Sequence, residues 1–234
     1  MYSSSKKVNR VYVIRGEETK EKLYNKSSTW VSLANIDYQS LEEIIKLGVT
    51  KHFKEEKVII NIGEFVEGIY LITKGEARAN ILTPDGKEKT IFIFEPPFFF
   101  GETIYFNKTP ASMEVKVMPD SIMTFFSEDA IKKLSKNKYF FELLFRSSIC
   151  KTDSAIEEIS DLYVLTPGER VYKTLWYYAN KRGVKLNNGE LLTKISQEQI
   201  ATIVGLHRVT VARIFSRLKG KGKIKNTKRS TLLP

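Results

Sequence analysis

The feature that most constrains the fold is a change of hydrophobic period near residue 127. From about Thr50 to Phe126 apolar residues come in short runs such as "KVIINIGE", "GIYLITKGEARANIL", "KTIFIFEPP" and "SMEVKVMPDSIMTFF". Turn residues, including "TPDGKE", break them at about strand-length spacing, and helical periodicity is weak. This pattern predicts a closed antiparallel barrel or jelly roll. Helical spacing begins at Ser127, a good N-cap for "EDAIKKLSKN", and a long helix is expected from about Lys138 to Leu162. Ahead of the roll, "LEEIIKLG" reads as a short helix with Ser40 and Glu43 as its capping box and Gly48 at its end. Residues 1–28 are polar and basic apart from Val11–Ile14, and are read as a loosely held extension. The fold class is therefore α+β, divided into an extension (1–28), an antiparallel β-roll (29–126), a long-helix region (127–165) and a C-terminal domain (166–234).

Within the roll, "EPPFFFGETIYF" places three phenylalanines in succession. Side chains alternate along a strand, so three adjacent rings cannot share one face. Either both faces are covered, or one of Phe98, Phe99 and Phe100 looks into a cavity. The long helix carries Phe145, Ile149, Thr152, Ile156, Ile159 and Tyr163 at spacings of 4, 3, 4, 3 and 4. That is the rhythm of a two-helix seam, although packing on the chain's own roll gives the same stripe. "LTPGERV" then marks a hinge, with Pro167 opening the next helix.

Charge is distributed unevenly. The last 69 residues hold 15 Lys/Arg against three acids, whereas the preceding 165 hold 23 Lys/Arg and 24 acids. A near-neutral body with a small basic domain points to a polyanion partner, nucleic acid before an anionic membrane face. No stretch approaches the roughly 18 apolar residues of a membrane span, and "MYSSSKKVNR" lacks a signal peptide's apolar segment. The expected location is cytoplasmic. One cysteine, Cys150, excludes an internal disulfide and an iron–sulfur cluster. Its expected role is packing, with redox sensing as the alternative. His52 alone in the roll is too little for a cupin-type metal or for haem, so no cofactor is expected.

The basic domain contains "QEQIATIVGLHRVTVARIFSRL" at residues 197–218. Counting from Gln197, a small residue stands fifth (Ala201) and a glycine ninth (Gly205), as a helix-turn-helix requires. Ile200, Val204, Val211, Ile214 and Leu218 fall inward. His207, Arg208, Val209, Ala212 and Arg213 are left pointing outward, and the candidate DNA-binding residues are Ser196, Gln197, His207, Arg208, Val209, Thr210 and Arg213. Ser196 is placed to cap the first helix and to meet a phosphate. "IKNTKRSTLL" suggests a basic two-stranded wing turning at Asn226–Lys228. The reading is double-stranded DNA; an RNA binder more often shows aromatic stacking platforms.

From residue 30 the chain resembles the CRP/FNR family of bacterial transcription regulators. The matching pieces are "KVIINIGEFVEGIYLITKGEARANILTPDGKEK", "FFFGET", the long helix and "ISQEQIATIVGLHRVTVARI". The resemblance implies a cyclic-nucleotide-binding-domain-like β-roll sensor, a dimerisation helix, a winged helix-turn-helix, and an allosteric homodimer on a two-fold symmetric operator. RNA polymerase is carried as a further candidate partner, and no enzymatic activity is implied. Gly101–Glu102 resembles the pair that meets the ribose of cyclic nucleotides. The Arg-Ser pair for the phosphate is replaced by Ala111 and Ser112, and the helix positions for adenine hold Ala155 and Ile156. A buried phosphate without a cation is costly, so cyclic AMP is not the expected effector. The chain is more similar to the branch that senses halogenated phenols, whose dimer-helix lysine matches Lys151. There Phe92 stands in place of a pocket tyrosine and Glu102 in place of a second lysine. The candidate effector residues are Phe92, Phe98, Gly101, Glu102, Thr103 and Lys151, for a small aromatic or acidic molecule. The alternatives are a cyclic-nucleotide-responsive regulator, and a cupin-type enzyme fused to a nucleic-acid-binding module.

Overall fold

A computed structural model describes residues 27–83, 87–226 and 230–233. The Val11–Ile14 patch, the tip of the "TPDGKE" turn and most of the wing turn lie outside the described residues. The elements run β1 (Trp30–Val31), α1 (Tyr38–Ile45), β2 (Val49–Phe53), β3 (Lys57–Ile60), β4 (Gly68–Lys74), β5 (Ala77–Leu82), β6 (Glu88–Phe94) and β7 (Phe98–Phe100). They continue with α2 (Glu102–Asn107), β8 (Glu114–Val117), β9 (Ser121–Ser127), α3 (Glu128–Leu134), α4 (Lys138–Val164) and α5 (Pro167–Arg182). The C-terminal part adds β10 (Val184–Lys185), β11 (Leu191–Thr193), α6 (Gln197–Val204), α7 (Arg208–Gly220), β12 (Lys225–Asn226) and β13 (Thr231–Leu233).

Two sheets form the roll, in strand orders β1-β6-β5-β8-β3 and β2-β9-β4-β7. All pairings are antiparallel except β1 with β6. The Phe triplet covers both faces of β7. Phe98 and Phe100 point between the sheets and stack on Phe94 at centroid distances of 5.4 and 5.0 Å. Phe99 points the other way, 5.9 Å from Phe126 and 5.6 Å from Phe140 at the start of α4. All three are fully buried, and each contributes roughly 1.5–3 kcal/mol of apolar burial. They lock β7 between the roll interior and the helical layer.

Two local expectations need correction. The first helix starts at Tyr38 and is capped by Asp37, whose carboxylate accepts from the Gln39 and Ser40 N–H groups. Ser40 lies inside the helix and donates its hydroxyl to Asp37 at 2.5 Å. Aspartate wins because a charged acceptor at a helix N-terminus also meets the dipole. The β-rich block also contains a helix, α2, which follows Gly101 in the left-handed region at φ +85°.

Three later helix starts, those of α3, α4 and α5, follow their capping residues. Ser127 Oγ accepts from Ala130 N, and Asn137 Oδ1 accepts from Phe140 N at 3.0 Å. Thr166 and Glu169 form a reciprocal capping box with Pro167 at the first helical position. The long helix extends to Val164, so only Leu165 and Thr166 separate α4 from α5.

The C-terminal domain builds its own core on Val171, Leu175, Ile200, Val211, Phe215 and Leu233. Trp30 and Ile93 belong to this second core. Ile93 faces outward from β6, opposite Phe92 and Phe94, so one strand serves both domains.

Candidate functional site

Ser196 opens α6: its Oγ accepts from Gln199 N, and its own N–H donates to Gln199 Oε1, both at 3.0 Å. The serine hydroxyl proton is left for another acceptor. Gly205 ends α6 at φ +66°, the conformation a side chain resists. The five positions read as inward are buried, and Ala201, Ile203 and Phe215 join them. His207, Arg208, Val209 and Arg213 are exposed, while Gln197, Thr210 and Ala212 are half-buried. Val209 is 62% exposed. Arg208 Nε lies 3.4 Å from Glu198, an exposed pair of little strength that a competing anion can open.

The wing forms as a small sheet in the order β10-β11-β13-β12. Lys225 and Asn226 pair with Leu232 and Thr231. Lys225 also meets Glu190 at 2.7 Å, which ties β12 to the loop before β11. Arg217, Lys219, Lys221 and Lys223 follow along and beyond α7, all exposed.

Sequence reasoning missed the residues that hold this domain on the roll. α6 packs against β6. Lys89 on β6 donates to the Ile203 carbonyl at the end of α6 and lies 2.9 Å from Glu158 on α4. Arg182 at the end of α5 meets Glu76 at 2.6 Å and Glu95 at 3.3 Å, and Lys181 also pairs with Glu95. Burial opposes the charge on Lys181, but Glu95 outweighs it and holds the ammonium above its ordinary 10.5. Trp30 packs on Tyr177 and Tyr178 at centroid distances of 5.1 and 6.1 Å. Between the β5–β6 hairpin and the helix-turn-helix lies a cleft of about 580 Å³. His207, Arg208 and Thr210 form one wall, with Lys87 and Glu88 on the other. These contacts join residues about a hundred positions apart, and no local pattern announces them.

In the roll, the structure brings Phe98, Gly101, Glu102 and Lys151 together. Glu102 Oε1 accepts from Lys151 and from Ser148 Oγ at 2.9 Å, and lies 3.4 Å from Thr103 Oγ1. Glu102 Oε2 is buried with no hydrogen-bond partner. Lys151 Nζ lies 5.9 Å from the Phe98 ring centre, and burial pulls its pKa below the ordinary lysine value against the opposing Glu102 charge. Thr103 is exposed. Phe92 is buried and stands one ring away, stacked on Phe94 at 6.0 Å. Ala111 is buried and Ser112 is exposed. Among the described residues no cluster of His, Cys, Asp and Glu could hold a metal ion. No described helix is long and apolar enough to cross a membrane.

A β-roll followed by a long helix and a winged helix-turn-helix defines a class, the DNA-binding regulators that carry a sensor on the same chain. Residues 50–138 match the cyclic nucleotide-binding domain, and residues 169–233 match the Crp-like helix-turn-helix domain. With both in this order, the chain belongs to the CRP/FNR family of transcription regulators. It is 24% identical over 203 residues to a CRP-like cAMP-activated global transcriptional regulator of Mycobacterium tuberculosis, covering 84% of this chain and 91% of that one. It is 25% identical over 193 residues to the anaerobic regulatory protein of Bacillus subtilis, covering 80% and 79%. The c-di-GMP-responsive global regulator CLP of Xanthomonas campestris shares the fold with a TM-score of 0.74 at 15% identity, over 84% of this chain and 99% of that one. CprK complexed with OCPA shares it with a TM-score of 0.63 at 19% identity, over 85% and 91%.

Proposed function

We propose that this regulator binds a two-fold symmetric operator as a homodimer, and that a small acidic or aromatic effector sets the fraction competent to bind. The exposed reading surface of α7, with Arg208, Val209 and Arg213 held behind the Gly205 turn, is the observation that carries this reading. Arg208 and Arg213 stand about one and a half turns apart, within reach of a single major groove. Homodimerisation is supported by α4. Phe145, Ile149, Thr152, Ile156, Ile159 and Tyr163 are all exposed, whereas Phe140, Leu143 and Leu144 take the roll-facing side. The seam stripe therefore faces away from its own chain.

The docked helix-turn-helix supports gating. While α6 rests on β6, Arg208 and Thr210 face a cleft beside the sensor hairpin, and a duplex competes for that space. An effector that favours release of this docking raises DNA affinity by population shift. The effector class rests on charge. The cAMP-activated relatives share this architecture, but the position expected to meet a cyclic phosphate holds Ala111. Lys151 is the basic group beside the aromatic stack, and Glu102 occupies it. An acidic ligand that displaces Glu102 gains a desolvated cation.

The test is selection of duplexes from a randomised pool. The expected product is a palindrome with half-site centres about 34 Å apart. Recovery of unrelated sequences at a shallow, salt-dependent affinity defeats the reading.

A further inference from the structure

The roll is not closed on all sides. β2 is an edge strand of one sheet and β3 an edge strand of the other, and the two are not hydrogen-bonded to each other. Between them a cleft of about 490 Å³ opens to solvent, within the usual range for small-molecule sites. Its floor is apolar: Phe53, Met123 and Phe125 line it, and Tyr70 stacks at 5.3 Å on Phe100 and packs 5.0 Å from Phe125. Among the described residues its polar lining side chains are Lys51, Lys57 and Tyr70.

The charge of this lining is one-sided. Among the described residues no acid lines the cleft, although Glu64 and Glu67 lie close enough to act on Tyr70. Among the described residues neither lysine has an ion-pair partner, whereas Lys116 on the neighbouring strand β8 is paired with Glu88 and Glu114. Lys51 belongs to the inward-facing set of β2 with Val49 and Phe53, while Thr50 turns the other way to meet Thr124 at 2.8 Å. Burial raises the Tyr70 pKa, helped by Glu64 and Glu67, so its phenol stays a donor at neutral pH.

We propose that this open seam is a binding site for a small amphipathic anion, with an apolar ring or chain against Phe53, Met123 and Phe125 and a carboxylate or sulfonate between Lys51 and Lys57. The site shares no residue with the Glu102–Lys151 pair and stands independently of any effector bound there. The competing explanation is that Lys51 guards a free strand edge, since inward-pointing charges on edge strands prevent pairing with other chains.

The test uses the full chain with two fluorescent probes, anilinonaphthalene sulfonate and its uncharged counterpart phenylnaphthylamine. The sulfonate is expected to saturate one site. Lys51→Met and Lys57→Met should each weaken it about fivefold, as loss of one cation near an anion at a half-exposed site implies. Phenylnaphthylamine should bind both variants as it binds wild type. Lys54→Met, which removes a neighbouring charge outside the cleft, should leave both probes unchanged. Duplex binding by the same preparations should be unaltered, which separates failure of this site from failure of the regulator reading. Sulfonate binding that survives both lysine changes, or that falls equally with Lys54→Met, overturns the proposal. Aggregation of Lys51→Met with unchanged probe binding assigns that lysine to the strand edge instead.

Discussion

In the docking proposed for α7, Val209 is the residue at which base preference is most open to change. Its apolar side chain offers no hydrogen bond, so at the groove floor it favours a thymine methyl, whereas a carboxylate there accepts from the cytosine amino group. Val209→Glu is expected to move the selected half-site from T·A toward C·G at one step, with about 1–3 kcal/mol of discrimination. Parallel duplex selections with wild type and variant check this, and identical half-sites would remove Val209 from the reading surface. The Glu102–Lys151 pair gives a second expectation. Lys151→Met leaves a buried carboxylate without its cation and should cost about 3–5 kcal/mol in urea unfolding. Adding Glu102→Gln should recover most of that loss, whereas additive costs would show that the two side chains are not coupled. The outward set around Arg208 was legible because helix period and turn chemistry are local. The partners of Lys151 became visible only through resemblance, because residues 102 and 151 meet through the stacking of α4 on β7.

Elements differ in how plainly the chain announces them. The capped helices α3, α5 and α6 were readable from Ser127, Pro167 and Ser196, since each start is fixed by one or two side chains. α2 was not, because it is six residues long and sits inside the apolar run of residues 98–106, where no period stands out. The register of α4 was legible, but which neighbour would cover its stripe was not: a heptad rhythm describes a face and says nothing of what lies against it. The structure turns that face outward, with Ile156 60% and Ile159 67% exposed. If α4 forms the proposed homodimer seam, Ile156→Asp leaves the single chain intact while placing two like charges in that seam. Light scattering should find monomers at concentrations where wild type is dimeric, with thermal unfolding of the roll little changed. Gly205→Ala tests the turn between α6 and α7. The left-handed backbone costs about 1–2 kcal/mol with a Cβ. A Cβ there would also stand 2.9 Å from Lys89 Cδ. The variant should lose stability and weaken the contact with β6 together.

At the scale of the molecule, two cores meet on β6, with Phe92 and Phe94 in one and Ile93 in the other. Beside the apolar contacts of Trp30 and Ile93, the charged groups Lys89, Lys181 and Arg182 also hold the DNA-binding domain on the roll. The raised pKa of Lys181 keeps its contribution complete at any pH below about 10.5, lost only as pH climbs through the folded value. Near neutrality Lys181 therefore stays charged, and salt or a competing ligand is the means of loosening its pair with Glu95. Lys89 is the most informative position, because it touches the end of α6 and Glu158 of α4 at once. If docking withholds α7 from DNA, apparent affinity is reduced by the undocked fraction, and a weaker dock raises affinity without any new DNA contact. Lys89→Met is expected to tighten operator binding several-fold in the absence of effector, with the slope of affinity against salt unchanged. If Lys89 instead serves as a phosphate contact in the bound state, the same variant weakens binding and flattens that slope. Fluorescence anisotropy across a salt series separates these outcomes by sign. A gain seen only in the presence of effector would place the switch elsewhere than on β6.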